Sequence, residues 1–173
     1  MEKAKDIKEL AEKACSLGWE YQKTYRGCAQ TALAALQDTL GLRNDDIFKA
    51  ATGLSGGGGV SIDGSCGAYA AAILFMSSII GRERHDFKDA PRVRFRSFEL
   101  ARKLHDRFVN EYGAIICRDI QRKLVGRGYY LGDSDEMRKF DDLGGHETVA
   151  PGVVANAARW TVEVLAEEGL LPK

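Results

Sequence analysis

The sequence predicts an all-α fold: a single-domain helical bundle with a glycine-rich loop before a buried central helix. Three observations carry that reading. Apolar residues recur at three- and four-residue spacing over most of the chain, while strand-type alternation is weak throughout. Glycine, asparagine and proline fall where such periodic segments should start and stop. A length of 173 residues with 45% hydrophobic content suits one domain, residues 1–173, with a core of its own.

Ile7, Leu10, Ala11, Ala14 and Leu17 share one helical face, so a first amphipathic helix is expected from about Asp6 to Gly18. A second runs from near Cys28 to Leu40 with Ala29, Ala32, Leu33 and Leu36 inward, and Gly41 stops it. Asn44 is placed to cap a short helix through Ile47, Phe48 and Ala51. The stretch Gly53 to Gly67 has too many glycines for a helix or a packed strand. From about Ser65 to Ile80 the chain is apolar almost all round, as a buried central helix should be. Gly81 to Pro91 is a charged connection. It leads to a long amphipathic helix, Val93 to Tyr112, for which Phe95, Phe98, Leu104 and Phe108 are the expected anchors. Ile115 to Leu124 is a further short helix containing Cys117. Gly126 to Gly145, rich in glycine and charge, reads as loop, and a last helix spans about Pro151 to Gly169.

Charge excludes some functions. Lys plus Arg and Asp plus Glu each number 25, so no net field draws nucleic acid or an anionic membrane. The local run Arg92, Arg94, Arg96, Arg102 and Lys103 reads as a solvated helix face. The longest apolar stretch, Ala68 to Met76, is too short to span a bilayer. Met1 to Leu10 alternates Lys and Glu without the apolar stretch of a signal peptide, which points to a cytoplasmic protein. In that reducing compartment four cysteines read as redox thiols, metal ligands or core residues before they read as structural disulfides.

Three cysteines share a local setting. Cys28, Cys66 and Cys117 each fall at the predicted start of a helix, Cys28 beside Arg26 and Cys117 beside Arg118. Unpaired N–H groups and the dipole at a helix N-terminus favour thiolate over thiol, so a lowered thiol pKa is expected at these positions. Free cysteine is also a common small hydrophobe in cores, and Cys15, on the apolar side of the first helix, is read that way. There is no convincing Ser/His/Asp set, carboxylate pair or CxxCH haem attachment, so enzyme status stays open.

Gly27-Cys28-Ala29-Gln30, the loop Gly53 to Gly59, Cys66-Gly67-Ala68 opening a helix, and Cys117-Arg118-Asp119 together resemble the C_GCAxxG_C_C family of redox-active proteins. The likeness is ordered from about Gly27 to Leu165. It implies a small helical protein with Cys28, Cys66 and Cys117 as its site cysteines. Ala71 stands where the family's CGAxxG motif closes on glycine. A last cysteine is expected near Ala150-Pro151-Gly152-Val153-Val154, and none is there. His146 precedes the last helix and is the candidate replacement; His85 and His105 lie in charged segments. Cys28, Cys66, Cys117 and His146 would then make a chemically reasonable zinc set.

Two functional readings follow. The first is thiol redox chemistry, with Cys28 and Cys66 cycling between dithiol and disulfide, Cys117 as a third thiol, and Arg26 and Arg118 holding thiolate charge. The alternative is a metal- or cofactor-binding module on the same cysteines, for zinc, an iron–sulfur cluster or haem. Gly56, Gly57, Gly58 and Gly59 could cradle a phosphate, but no Lys-Ser/Thr follows and no strand precedes them. The preferred version is that these glycines let backbone pass close to Cys66 or to a small cofactor above it. A purely helical interaction protein with core cysteines is the third reading. The redox partner and the oligomeric state, a homo-oligomer included, are left open.

Overall fold

The computed structural model describes residues 2–172, with side chains from residue 6 onward. Its elements in chain order are α1 (Glu2–Tyr25), α2 (Cys28–Leu40), α3 (Asp45–Ala50), a 3-10 turn (Thr52–Leu54), α4 (Gly67–Ile79), α5 (Val93–Tyr112), α6 (Cys117–Val125), α7 (Ser134–Asp142), a π-helical turn (Gly145–Val149) and α8 (Ala150–Glu167). No strand forms among the described residues; the nearest approach is one antiparallel bridge between Ser65 and Ile116. The fold class is all-α, as the periodicity predicts. No helix among the described residues is long and apolar enough to cross a membrane.

The punctuation works as read. Gly41 closes α2 in the left-handed conformation and donates its N–H to the Gln37 carbonyl. The Asn44 side chain accepts the Ile47 N–H at the start of α3. Pro151 occupies the first turn of α8. Packing follows from small side chains. Ala29, Ala32 and Ala35 on α2 and Ala157 and Ala158 on α8 are buried, so these helices approach closely. A Cβ at Gly18 would stand 3.2 Å from the Ala155 Cα, which marks where α1 lies against α8. α8 packs against α1, α2, α4 and α5, and α4 against α2, α5 and α8. At every position of α4 except Ser78 the chain is buried or half-buried, so the apolar helix is central as expected.

Three expectations change. α1 runs to Tyr25, because Gly18 is a contact point with α8 and not a stop. On α5 Leu104 and Phe108 are anchors as expected, joined by Leu100 and Tyr112 in a stripe at four-residue spacing, whereas Phe95 and Phe98 are half-exposed and meet edge to face, 5.8 Å between centroids. The stretch from Gly126 to Gly145 is not all loop. Asp133 accepts the N–H groups of Asp135 and Glu136 and starts α7, whose Phe140 is buried.

Candidate functional site

The site is built on backbone that few sequences tolerate. Between α1 and α2 the chain turns on two left-handed residues, Arg26 (φ 60°) and Gly27 (φ 79°), which aims Cys28 inward at the first position of α2. From Gly56 to Val60 all five residues have positive φ, and Ile62 does too. Glycine visits that region freely, whereas β-branched Val60 and Ile62 do so only under tertiary compulsion. Backbone hydrogen bonds hold the loop: Gly59 N–H to Gly53 O at 2.8 Å, Val60 N–H to Ser55 O at 3.0 Å, and Ile62 N–H to Gly56 O at 2.8 Å. The Gly58, Gly59, Val60 and Ile62 amides are thus spent within the loop. Beyond it, Cys66 N–H donates to Ile115 O at 2.7 Å and Cys117 N–H to Gly64 O at 3.0 Å. The register sets Cys66 and Cys117 as diagonal neighbours on one side of the bridge.

These features bring three cysteines from three helix starts to one cavity of about 250 Å³. Cys28, Cys66 and Cys117 all line it, together with His146, Arg26 and Gly56. The remaining wall is mainly apolar: Ile120, Leu131, Met137, Phe140, Val149 and Val153. Cys28 Sγ accepts the Gly56 N–H at 3.5 Å. A Cβ on Gly67, the residue after Cys66, would stand 2.6 Å from that sulfur, so the Cys28 sulfur rests on bare backbone there. Gln121 joins the third thiol to the fold: its amide donates to Cys117 Sγ at 3.7 Å, while its carbonyl oxygen accepts the Tyr129 N–H at 2.6 Å.

At Cys66 and Cys117 thiol acidity runs opposite to the helix-start expectation. Burial pushes the Cys66 thiol well above the ordinary cysteine value, charge on Cys28 and then Cys117 pushes it further, and the N–H groups of Tyr69 and Ala68 oppose this without winning. Burial, with charge on Cys28, pushes Cys117 up to about 12, against the hydrogen bond from Gln121. A helix terminus contributes about 0.3–1 kcal/mol at an exposed site, whereas desolvating a thiolate costs several times that in an apolar cavity. All four cysteines are free thiols.

His146 is buried at the π-helical turn with its Nδ1 2.5 Å from Asp141 Oδ1 and its ring edge-on to Phe140 at 5.2 Å. Arg26 reaches the same carboxylate at 3.5 Å. Gly145 is required here, since any Cβ would enter the Phe140 ring. π-turns of this kind are frequent at functional sites.

Of the residues singled out from sequence, Cys28, Cys66, Cys117, His146, Arg26 and Gly56 meet at the cavity. Gly57 is buried, with room for no side chain beside the Cys117 Cβ, and Gly58 and Gly59 are exposed. Cys15 lies elsewhere, between Glu12 and Arg159 on the α1–α8 interface. Arg118 turns to Asp63 instead of the thiols. Val149, Ala150 and Val153 face the cavity where a fourth cysteine was expected. Sequence reasoning missed Asp141, Gln121 and the α7 wall. Asp133 and the spacing of Met137 and Phe140 were the available clues. The Cys/His donor types suit zinc, but among the described residues no three His, Cys, Asp or Glu side chains are grouped as a metal site requires.

No curated protein and no solved structure matches the chain. The family model described as "Putative redox-active protein (C_GCAxxG_C_C)" matches residues 27–164. That span opens beside Cys28, takes in all three cavity cysteines and closes inside α8. With well over half of its length matched, this chain belongs to the C_GCAxxG_C_C family.

Proposed function

We propose that the chain is a thiol redox protein in which Cys28 and Cys66 cycle between dithiol and disulfide. The observation that carries this reading is the meeting of three helix-start cysteines at one cavity, with the Cys28 sulfur resting on the residue next to Cys66. Oxidation removes one hydrogen from each thiol, two electrons and two protons together, and joins the sulfurs. Reduction reverses it. Cys117 is the third thiol: it can attack the Cys28 sulfur of the disulfide, release Cys66 and hold the oxidised state as a Cys28–Cys117 bond. Charge on Cys28 is felt at both other thiols, which supports its place as the shared partner. Arg26, on the cavity wall, is the cation available to a transient thiolate. In a reducing cytoplasm the dithiol is the resting form.

Mild oxidation with a stoichiometric amount of hydrogen peroxide, followed by non-reducing peptide mapping, tests this. A Cys28–Cys66 linked peptide that disappears with dithiothreitol is the expected result. A protein whose four thiols all still alkylate after oxidation would overturn the proposal.

A further inference from the structure

The cavity above the thiols limits what can reach them. Cys66 is 5% exposed and is approached through the cavity, while Cys28 and Cys117 are half-buried on its wall. The space of about 250 Å³ is larger than the roughly 150 Å³ apolar cavity that accepts one benzene ring, and smaller than most pockets for drug-sized molecules. It has room for one substituted ring. Leu131, Met137, Phe140 and Val153 give that ring an apolar bed, and Arg26 and His146 supply polar groups on the wall.

Resting on the thiol-cycling reading above, we propose that the oxidant these thiols meet is a small, largely apolar quinone-type molecule that enters this cavity. The exchange balances without a further reactant. Two S–H bonds break and one S–S bond forms; two electrons pass to the ring and two protons to its two oxygens, leaving a disulfide and a hydroquinone. No net charge is left in an apolar space, where an uncompensated ion is costly. Burial keeps Cys66 and Cys117 in the neutral thiol form. That suits delivery of electrons with their protons. Arg26 is the donor to an oxygen that gains charge during transfer.

The test uses the full chain, reduced and kept anaerobic, with tetramethyl-benzoquinone, whose methyl groups block addition of thiols to the ring. The expected result is one quinone consumed for every two thiols lost, with a Cys28–Cys66 linked peptide. Filling the cavity with Val153→Phe should slow this about tenfold, the factor a clash of ordinary overpacking size produces. Should that variant misfold, Val153→Ala serves: it should react relatively faster than the parent with a naphthoquinone methylated at both open quinone-ring positions. Quinone consumption no faster than in urea-unfolded protein, or rates indifferent to the cavity variants, would sink the inference. So would faster oxidation by a protein disulfide such as oxidised thioredoxin. If hydrogen peroxide forms the Cys28–Cys66 bond and the quinone does not, only this inference falls. If neither forms it, the thiol-cycling reading falls with it.

Discussion

At Gly67 the absence of a side chain is a requirement of the site. A Cβ there would lie 2.6 Å from Cys28 Sγ and 2.9 Å from the Leu54 carbonyl oxygen. Gly67→Ala is expected to cost about 1–3 kcal/mol, read as a lower urea midpoint with an unchanged slope. An unchanged midpoint would mean that the Cys28 sulfur moves aside freely. The thiols carry a second prediction. Because burial raises Cys66 and Cys117, the fold favours their neutral forms. The corresponding share of stability is present below the ordinary cysteine value of 9.0 and is lost as pH rises toward about 12 at Cys117. Iodoacetamide labelling of Cys117 in the folded protein should therefore stay slow near pH 9 and climb above it, while the unfolded chain labels readily there. Equal rates at pH 8 in the two states would remove burial as the controlling cause.

At the scale of single elements, α7 and the glycine loop position the cavity wall. α7 is a short, strongly charged helix that depends on its cap and its ion pairs. Asp133 accepts two backbone N–H groups, and Arg127, with Lys139, holds the Glu136 carboxyl at about 2. That pairing is intact above the ordinary glutamate range and is given up only as pH falls toward 2. Asp133→Ala should cost about 1 kcal/mol and speed amide hydrogen exchange across residues 134–142 ahead of the rest of the molecule. Exchange that is unchanged there would show that Phe140 packing alone holds the helix. Since Met137, Phe140 and Asp141 reach the site from α7, the same variant should loosen the cavity. The glycine loop behaves differently. Val60 and Ile62 sit at φ 56° and 61°, a cost of roughly 1–2 kcal/mol each for non-glycine residues, and the loop's cross-bonded backbone holds them there.

The whole molecule is organised around α4 and α8, with an aromatic cluster between α4, α5 and α8. Phe108 is fully buried and meets Tyr69 at 5.1 Å, Tyr112 at 5.6 Å and Trp160 at 5.3 Å. Phe108→Ala should cost about 3–5 kcal/mol, a large fraction of the roughly 5–15 kcal/mol that holds a domain folded. A thermal midpoint that barely moves would show that the helices collapse onto the vacated space.

Much of this was legible in the residues themselves. The 3.6-residue period, Gly41, Asn44 and Pro151 define helices whose ends the structure reproduces, because caps and amphipathic faces are local properties. That Cys28, Cys66 and Cys117 open helices was legible for the same reason: a helix start is a local feature. Other features depended on residues distant in sequence. Gly18 reads as a stop until α8 is seen against it, and Phe95 reads as core until the opposite face of α5, with Leu100 and Leu104, is seen to be the buried one. The pairing of His146 with Asp141, the diversion of Arg118 to Asp63 and the exclusion of Cys15 are likewise decided by how helices pack. Most of all, the sequence predicts acidified thiols, and at Cys66 and Cys117 the tertiary structure reverses the sign. The helix dipole is written into a few neighbouring residues, but the desolvation that outweighs it comes from walls contributed by α1, α2, α6, α7 and α8 together.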